Sequence, residues 1–316
     1  MGGPAIDAVP PAGPSRIRNR FDFPIVRLFK LGLIGLLLLA SLGALAYAGG
    51  ASLRARYDEL REQLRNNNFH RALYIDSAEA GDVLRGDVYA VLDHPFGTVT
   101  DALKQPGDWC DILILPFNTK YCHAVAGNGS ARLLVRIGRK FDQPVQDAYE
   151  VEFGLRPVAA VSDYFESRLN AANGPIGTRD YRITVTAVPL DGRRTFLHLS
   201  YSYGYGMAGR LAMQGYLATV GADKVGFTVT GRDGNGQPIY IGGVRGAIER
   251  TAMRYYLAID AHLASLSAPA DQQQEKRIEA WFNATEHYPR QLHEMDRTTY
   301  VAMKRSEYEW QRAMIE

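Results

Sequence analysis

The sequence predicts an α+β fold, an antiparallel sheet packed against helices, and three observations carry it. Short strand-like runs follow one another with turn-rich connections, which suits a meander rather than a parallel α/β sheet. Between Gly86 and Cys122 the apolar period lengthens from two to helical spacing and then returns. Finally, Val244–Leu266 is one long amphipathic helix.

Residues 1–15 are rich in Gly, Pro and Ala and read as disordered. Arg16, Arg18, Arg20, Arg27 and Lys30 make residues 1–30 a basic tail. Residues 31–53 then run without a charge, long enough for the ~20 apolar residues a bilayer crossing needs. Basic residues before the span place the tail in the cytoplasm and the rest outside, as a single-pass inner-membrane protein with an extracytoplasmic main domain. A cleavable signal peptide, with small-x-small sites around Ala44–Ala48, is the competing reading. Residues 54–68 mix charges with helix formers and read as a solvated stalk helix.

The main domain is expected over 69–268. Val88, Ala90 and Leu92 alternate with Asp87, Tyr89 and Val91 in a strand that Asp93-His94-Pro95 breaks. Phe96, Val99, Ala102 and Leu103 form a short helix, with Pro106-Gly107 as its stop, and Asp108 is placed to cap a second one carrying Trp109, Ile112 and Leu113. Strands follow at 131–137, 149–155, 164–169, 181–188 and 195–203. Residues 204–222 suit a short helix over the mouth of the fold, and 224–241 a hairpin turning at 232–236. In the long helix, Ile248, Ala252, Tyr255, Ile259 and Leu263 form the apolar stripe, flanked by Glu249, Arg250, Arg254 and Asp260. Residues 269–316 form a charged helical extension with aromatic anchors, fit to pack back on the domain, to meet a protein partner through 270–316, or to lie on the membrane.

A net charge of +2 with no long basic block argues against nucleic acid as a partner. No HxH, HExxH, CxxC or GxSxG spacing occurs, so no metal, cofactor or catalytic nucleophile is expected. Cys110 and Cys122 are expected to form a disulfide if the domain is exported, the alternative being two buried thiols.

A strand, two short helices and a return to strands, with "DHPFGTV" at the first junction and Trp109 in the second helix, resembles the START / Bet v 1-like (SRPBCC, helix-grip) superfamily, in a membrane-anchored or exported bacterial-type member. The resemblance covers roughly residues 70–266. It implies a curved antiparallel sheet whose long C-terminal helix roofs a cavity, and non-covalent binding of a hydrophobic or lipid-like molecule, with its transfer. The same superfamily holds cyclase- and aromatase-like enzymes, the alternative reading. An assembly protein using its C-terminal helices is a third. The cavity candidates are His198, Tyr201, Tyr203, Tyr205, Arg245, Tyr255 and Ile259. Tyr201, Tyr203 and Tyr205 share a strand face, while Arg245 or Arg250 is placed to meet a polar headgroup.

Overall fold

The computed structural model describes residues 46–127, 130–219 and 221–314. The basic tail and residues 31–45 of the expected span lie outside the described residues. Among the described residues, no helix is long and apolar enough to cross a membrane.

Period-two alternation builds a sheet with two different faces. Its strands are β1 (Leu73–Ala80), β2 (Val83–Leu92), β3 (Thr119–Ala126), β4 (Ala131–Ile137), β5 (Tyr149–Val161), β6 (Tyr164–Asn173), β7 (Thr178–Pro189) and β8 (Thr195–Tyr205), in the spatial order 1-2-8-7-6-5-4-3. Every neighbouring pair is antiparallel. Leu84, Val88, Ala90, Ile183, Val185, Leu197 and Leu199 point to the concave face and join the main core. Val188 and Phe196 point to the convex face and join a second, smaller core.

Helices α3 (Phe96–Leu103) and α4 (Pro106–Leu113) follow β2. Pro106 opens α4 instead of merely ending α3, and Asp108 falls in its first turn instead of capping it. Proline suits that first helical position because its missing N–H would have no partner there. The disulfide joins Cys110 of α4 to Cys122 of β3. Closing so short a loop contributes about 2–4 kcal/mol.

The long helix α6 (Gly243–Ser265) lies in the grip of the sheet, which fits the helix-grip fold. Its backbone crosses β2 at Gly86. A Cβ there would stand 3.1 Å from the Ile248 carbonyl oxygen and 3.2 Å from Ala252 Cβ, so glycine permits the approach. The flanks of α6 depart from the expected solvated pattern, since Glu249, Arg250 and Arg254 are buried. The reason is that more chain covers α6 than a sheet alone. Helix α5 (Met207–Ala218) and the segment leading to the hairpin of β9 (Val229–Arg232) and β10 (Pro238–Tyr240) pack on it. Of the helices that follow, α7 (Ala270–Glu286), α8 (Pro289–Leu292) and α9 (Arg297–Ala313), the first two also pack on α6, and Tyr288 between them meets Phe227. Glu249 accepts from the Phe227 and Thr228 amides at 2.6 and 2.9 Å and from Ser77 Oγ at 2.6 Å, tying the β9 approach to β1.

The C-terminal extension is part of the core. Trp281 of α7 packs against Phe117 and Tyr300, and its indole N–H donates to the Arg254 carbonyl at 3.0 Å. At the other end of the chain, residues 46–59 (α1) and Arg61–Arg65 (α2) are helical. Leu53, Leu60 and Leu64, at i, i+7 and i+11, make one stripe that docks on Val188 and Phe196. The segment expected as a solvated stalk is thus laid on the convex face; its charges outnumber this narrow stripe and hide it in the sequence.

Candidate functional site

A cavity of about 430 Å3 opens between the concave face and α6. Tyrosines form its floor, because β7 and β8 pair in a register that sets their concave-facing residues side by side. Tyr181 and Tyr203 stack at 5.3 Å, and Tyr201 lies 5.9 Å from Tyr203. Tyr255, reaching down from α6, meets Tyr201 at 5.2 Å. Burial pushes the Tyr201, Tyr203 and Tyr255 phenols up, so they stay neutral donors at ordinary pH. Tyr181 is already engaged, donating to Thr178 Oγ1 at 2.7 Å. Such rings give apolar faces with polar tips.

The wall opposite is basic. Arg250 and Arg254, one turn apart on α6, line it together with Lys140 from the β4–β5 connection. Arg250 donates to the Val225 carbonyl and to the Tyr216 hydroxyl, each at 3.2 Å. Arg254 and Lys140 both bind Glu294. Burial and the neighbouring Arg254 guanidinium lower the Lys140 ammonium to about 8, against the pull of Glu294. Among the described residues, no histidine or carboxylate lines the cavity.

Three segments rim the mouth: 138–144, 175–177 and α5. Gly206 donates to the Gly177 carbonyl, and Gly209 packs on Ile176 O, which joins α5 to the 175–177 turn. Phe141, Ile176, Met207 and Leu211 in these segments are exposed, and Ile176 is 53% exposed. Ile176 also adopts φ 55°, ψ 39°, a left-handed conformation that costs a β-branched residue on the order of 1–3 kcal/mol.

Of the residues singled out in the sequence, Tyr201, Tyr203 and Tyr255 meet in the cavity. His198 does not. Its number differs in parity from Tyr201, so it faces the convex side, 2.9 Å from Asp87 and stacked on Tyr89 at 4.2 Å. Arg245 binds Ser77 through its carbonyl at 2.7 Å and its hydroxyl at 3.1 Å, on another side of α6. Tyr205 lies past the cavity and donates to Glu79 at 2.8 Å, and Ile259 is buried in the core one turn beyond Tyr255. Tyr181, Tyr216, Lys140 and Arg254 line the site without having been candidates. Tyr181 shares its parity with Ile183 and Val185, a signal that was available. Lys140, in a connection, carries none. Among the described residues, no cluster of three or more His, Cys, Asp or Glu is placed to hold a metal.

No protein-family model matches the chain, and no curated protein matches it. Solved structures are similar to it in part. One is a protein of Thermus thermophilus, at 11% identity and a TM-score of 0.37, covering 59% of this chain and 99% of that one. Another is Ara h 8.0201, at 12% identity and a TM-score of 0.33, covering 58% and 99%. A third is human StAR-related lipid transfer protein 5, at 8% identity and a TM-score of 0.30, covering 55% and 90%.

Proposed function

We propose that this protein binds a hydrophobic or amphipathic small molecule without covalent chemistry, in the cavity between α6 and the sheet, and exchanges it with a lipid surface. The observation that carries the reading is the cavity itself. At about 430 Å3 it lies within the range of small-molecule sites, and three tyrosines of the sheet floor it with Tyr255 of α6 above them. Burying ligand surface there yields about 25 cal/mol per Å2.

Exchange at a lipid surface is supported by the rim. Each of the three rim segments carries at least one exposed large apolar side chain (Phe141, Ile176, Met207 and Leu211), and Ile176 lines the cavity itself. An apolar run at 31–53 would hold the domain beside a bilayer on the extracytoplasmic side, where the disulfide persists. The C-terminal helices support an assembly role less, because Trp281, Phe282, Leu292, Tyr300, Met303 and Tyr308 are used in the core.

The test is lipid extraction and native mass spectrometry of the full chain, exported and purified in a mild detergent, beside the cavity-filling variant Ala247→Trp. A molecule retained near one per chain in the wild type and lost in a folded Ala247→Trp is the expected result. Equal lipid content in the two would place that lipid in the detergent belt and remove the reading.

A further inference from the structure

We infer that the ligand is an amphiphile with one anionic head, a carboxylate or a phosphate, held by Arg250, Arg254 and Lys140. This rests on the cavity-binding reading above and names its ligand class.

Charge is unbalanced in the cavity. Four cations line it, Arg139, Lys140, Arg250 and Arg254, and among the described residues a single carboxylate, Glu294, pairs with two of them. Arg250 is 2% exposed, yet both its partners are neutral, the Val225 carbonyl and the Tyr216 hydroxyl. Arg254 is 8% exposed, and its Nε has no hydrogen-bond partner among the described residues. Buried cations are costly unless an anion accompanies them. The other carboxylates nearby are committed or remote from this wall. Glu249 is saturated by Phe227, Thr228 and Ser77. Asp142 and Asp147 lie around an outer hollow and do not line the cavity. An anion entering the cavity supplies what the wall lacks.

The geometry sets the form of that anion. Arg250 and Arg254 stand four residues apart, so their guanidinium groups share one side of α6. Paired planar forks suit a carboxylate or phosphate, which accepts several N–H bonds at once. The tyrosine floor begins beside them at Tyr255 and Tyr201, giving the chain of an amphiphile an apolar bed. A free anion would leave that bed unused, and an uncharged lipid would leave the wall unpaired.

The test uses the full chain and measures affinities for dodecanoate, dodecyl phosphate, 1-dodecanol, acetate and inorganic phosphate. Dodecanoate or dodecyl phosphate is expected to bind at least about ten-fold more tightly than the alcohol, because charge-assisted hydrogen bonds are made to the head. In Arg250→Gln the anion-to-alcohol ratio falls towards one. Lys140→Gln, whose site is partly open, is the second variant should Arg250→Gln not fold, and it lowers the same ratio. Equal affinities for alcohol and anion overturn the head-group assignment and leave the cavity reading standing. Inorganic phosphate or acetate binding as tightly as the dodecyl compounds overturns the amphiphile in favour of a free anion. Binding of none of the five overturns both readings.

Discussion

At Glu307 one carboxylate serves two buried ammonium groups. Lys120 Nζ donates to it at 2.8 Å and Lys304 Nζ at 2.6 Å, and both lysine side chains are fully enclosed. Lys304 also donates to the Pro116 and Thr119 carbonyls at 2.8 and 2.9 Å, so α9 is pinned to the start of β3. In Glu307→Gln the two charges lose the one acidic partner they have among the described residues. Unfolding in urea is expected to show a loss of about 3–5 kcal/mol, the scale of breaking a buried ion pair from one side. A loss under ~1 kcal/mol would mean the carbonyls alone hold the ammonium groups. None of this was legible in the sequence, where Lys304 and Glu307 sit in a charged helical run and Lys120 is 187 positions from Glu307. Local pattern reaches one turn along a helix or one step along a strand. It brought Tyr201 and Tyr203 together correctly. The same parity excludes His198 from their face. Likewise, five residues of α6 turn Arg250 well away from Arg245, so only one of the two reaches the cavity.

Elements were more legible than their exposure. The strands, the two short helices, the 232–236 hairpin turn and α6 all follow from period and turn residues, because each is a local choice. How α6 would be covered was not local. Its charged flanks suit solvent in the sequence and are buried because the 225–228 segment and α5 cover Glu249 and Arg250 while the C-terminal return covers Arg254. Trp281, Phe117 and Tyr300 form the contact at the centre of that return, with ring separations of 4.9 to 5.3 Å. Trp281→Ala is expected to cost about 3–5 kcal/mol in chemical denaturation. Ending the chain at residue 269 uncovers Phe117, Lys120 and the inner side of α6 together. The truncated protein should lose its near-ultraviolet circular dichroism and become protease-sensitive. A truncation that stays resistant would show that the sheet and α6 fold without the extension.

Across the whole molecule, β6 links two regions with different work. Its first residue, Tyr164, packs on α1 where the described chain begins, and its last lies beside the 175–177 turn at the cavity mouth. Ten residues of strand separate them by roughly 30 Å. Ligand chemistry at the mouth is therefore remote from the chain's entry, and its pH dependence reads the cavity wall. Lys140 titrates at about 8 in the folded protein, below the ordinary lysine value of 10.5. Folding thus favours its neutral form. Its unfavourable contribution to stability is full below pH 8 and fades as pH rises to 10.5. Anion binding favours the charged form, so it raises the Lys140 value and draws in a proton above pH 8. Affinity for dodecanoate, whose own carboxylate is ionised throughout this range, should fall between pH 7 and pH 9. One proton limits the slope to about ten-fold per pH unit. The affinity for 1-dodecanol should not fall with it, and Lys140→Gln should flatten the dodecanoate profile. Titrations at pH 7, 8 and 9 on both proteins decide the point: a wild-type profile as flat as that of the variant would take Lys140 out of the head-group site.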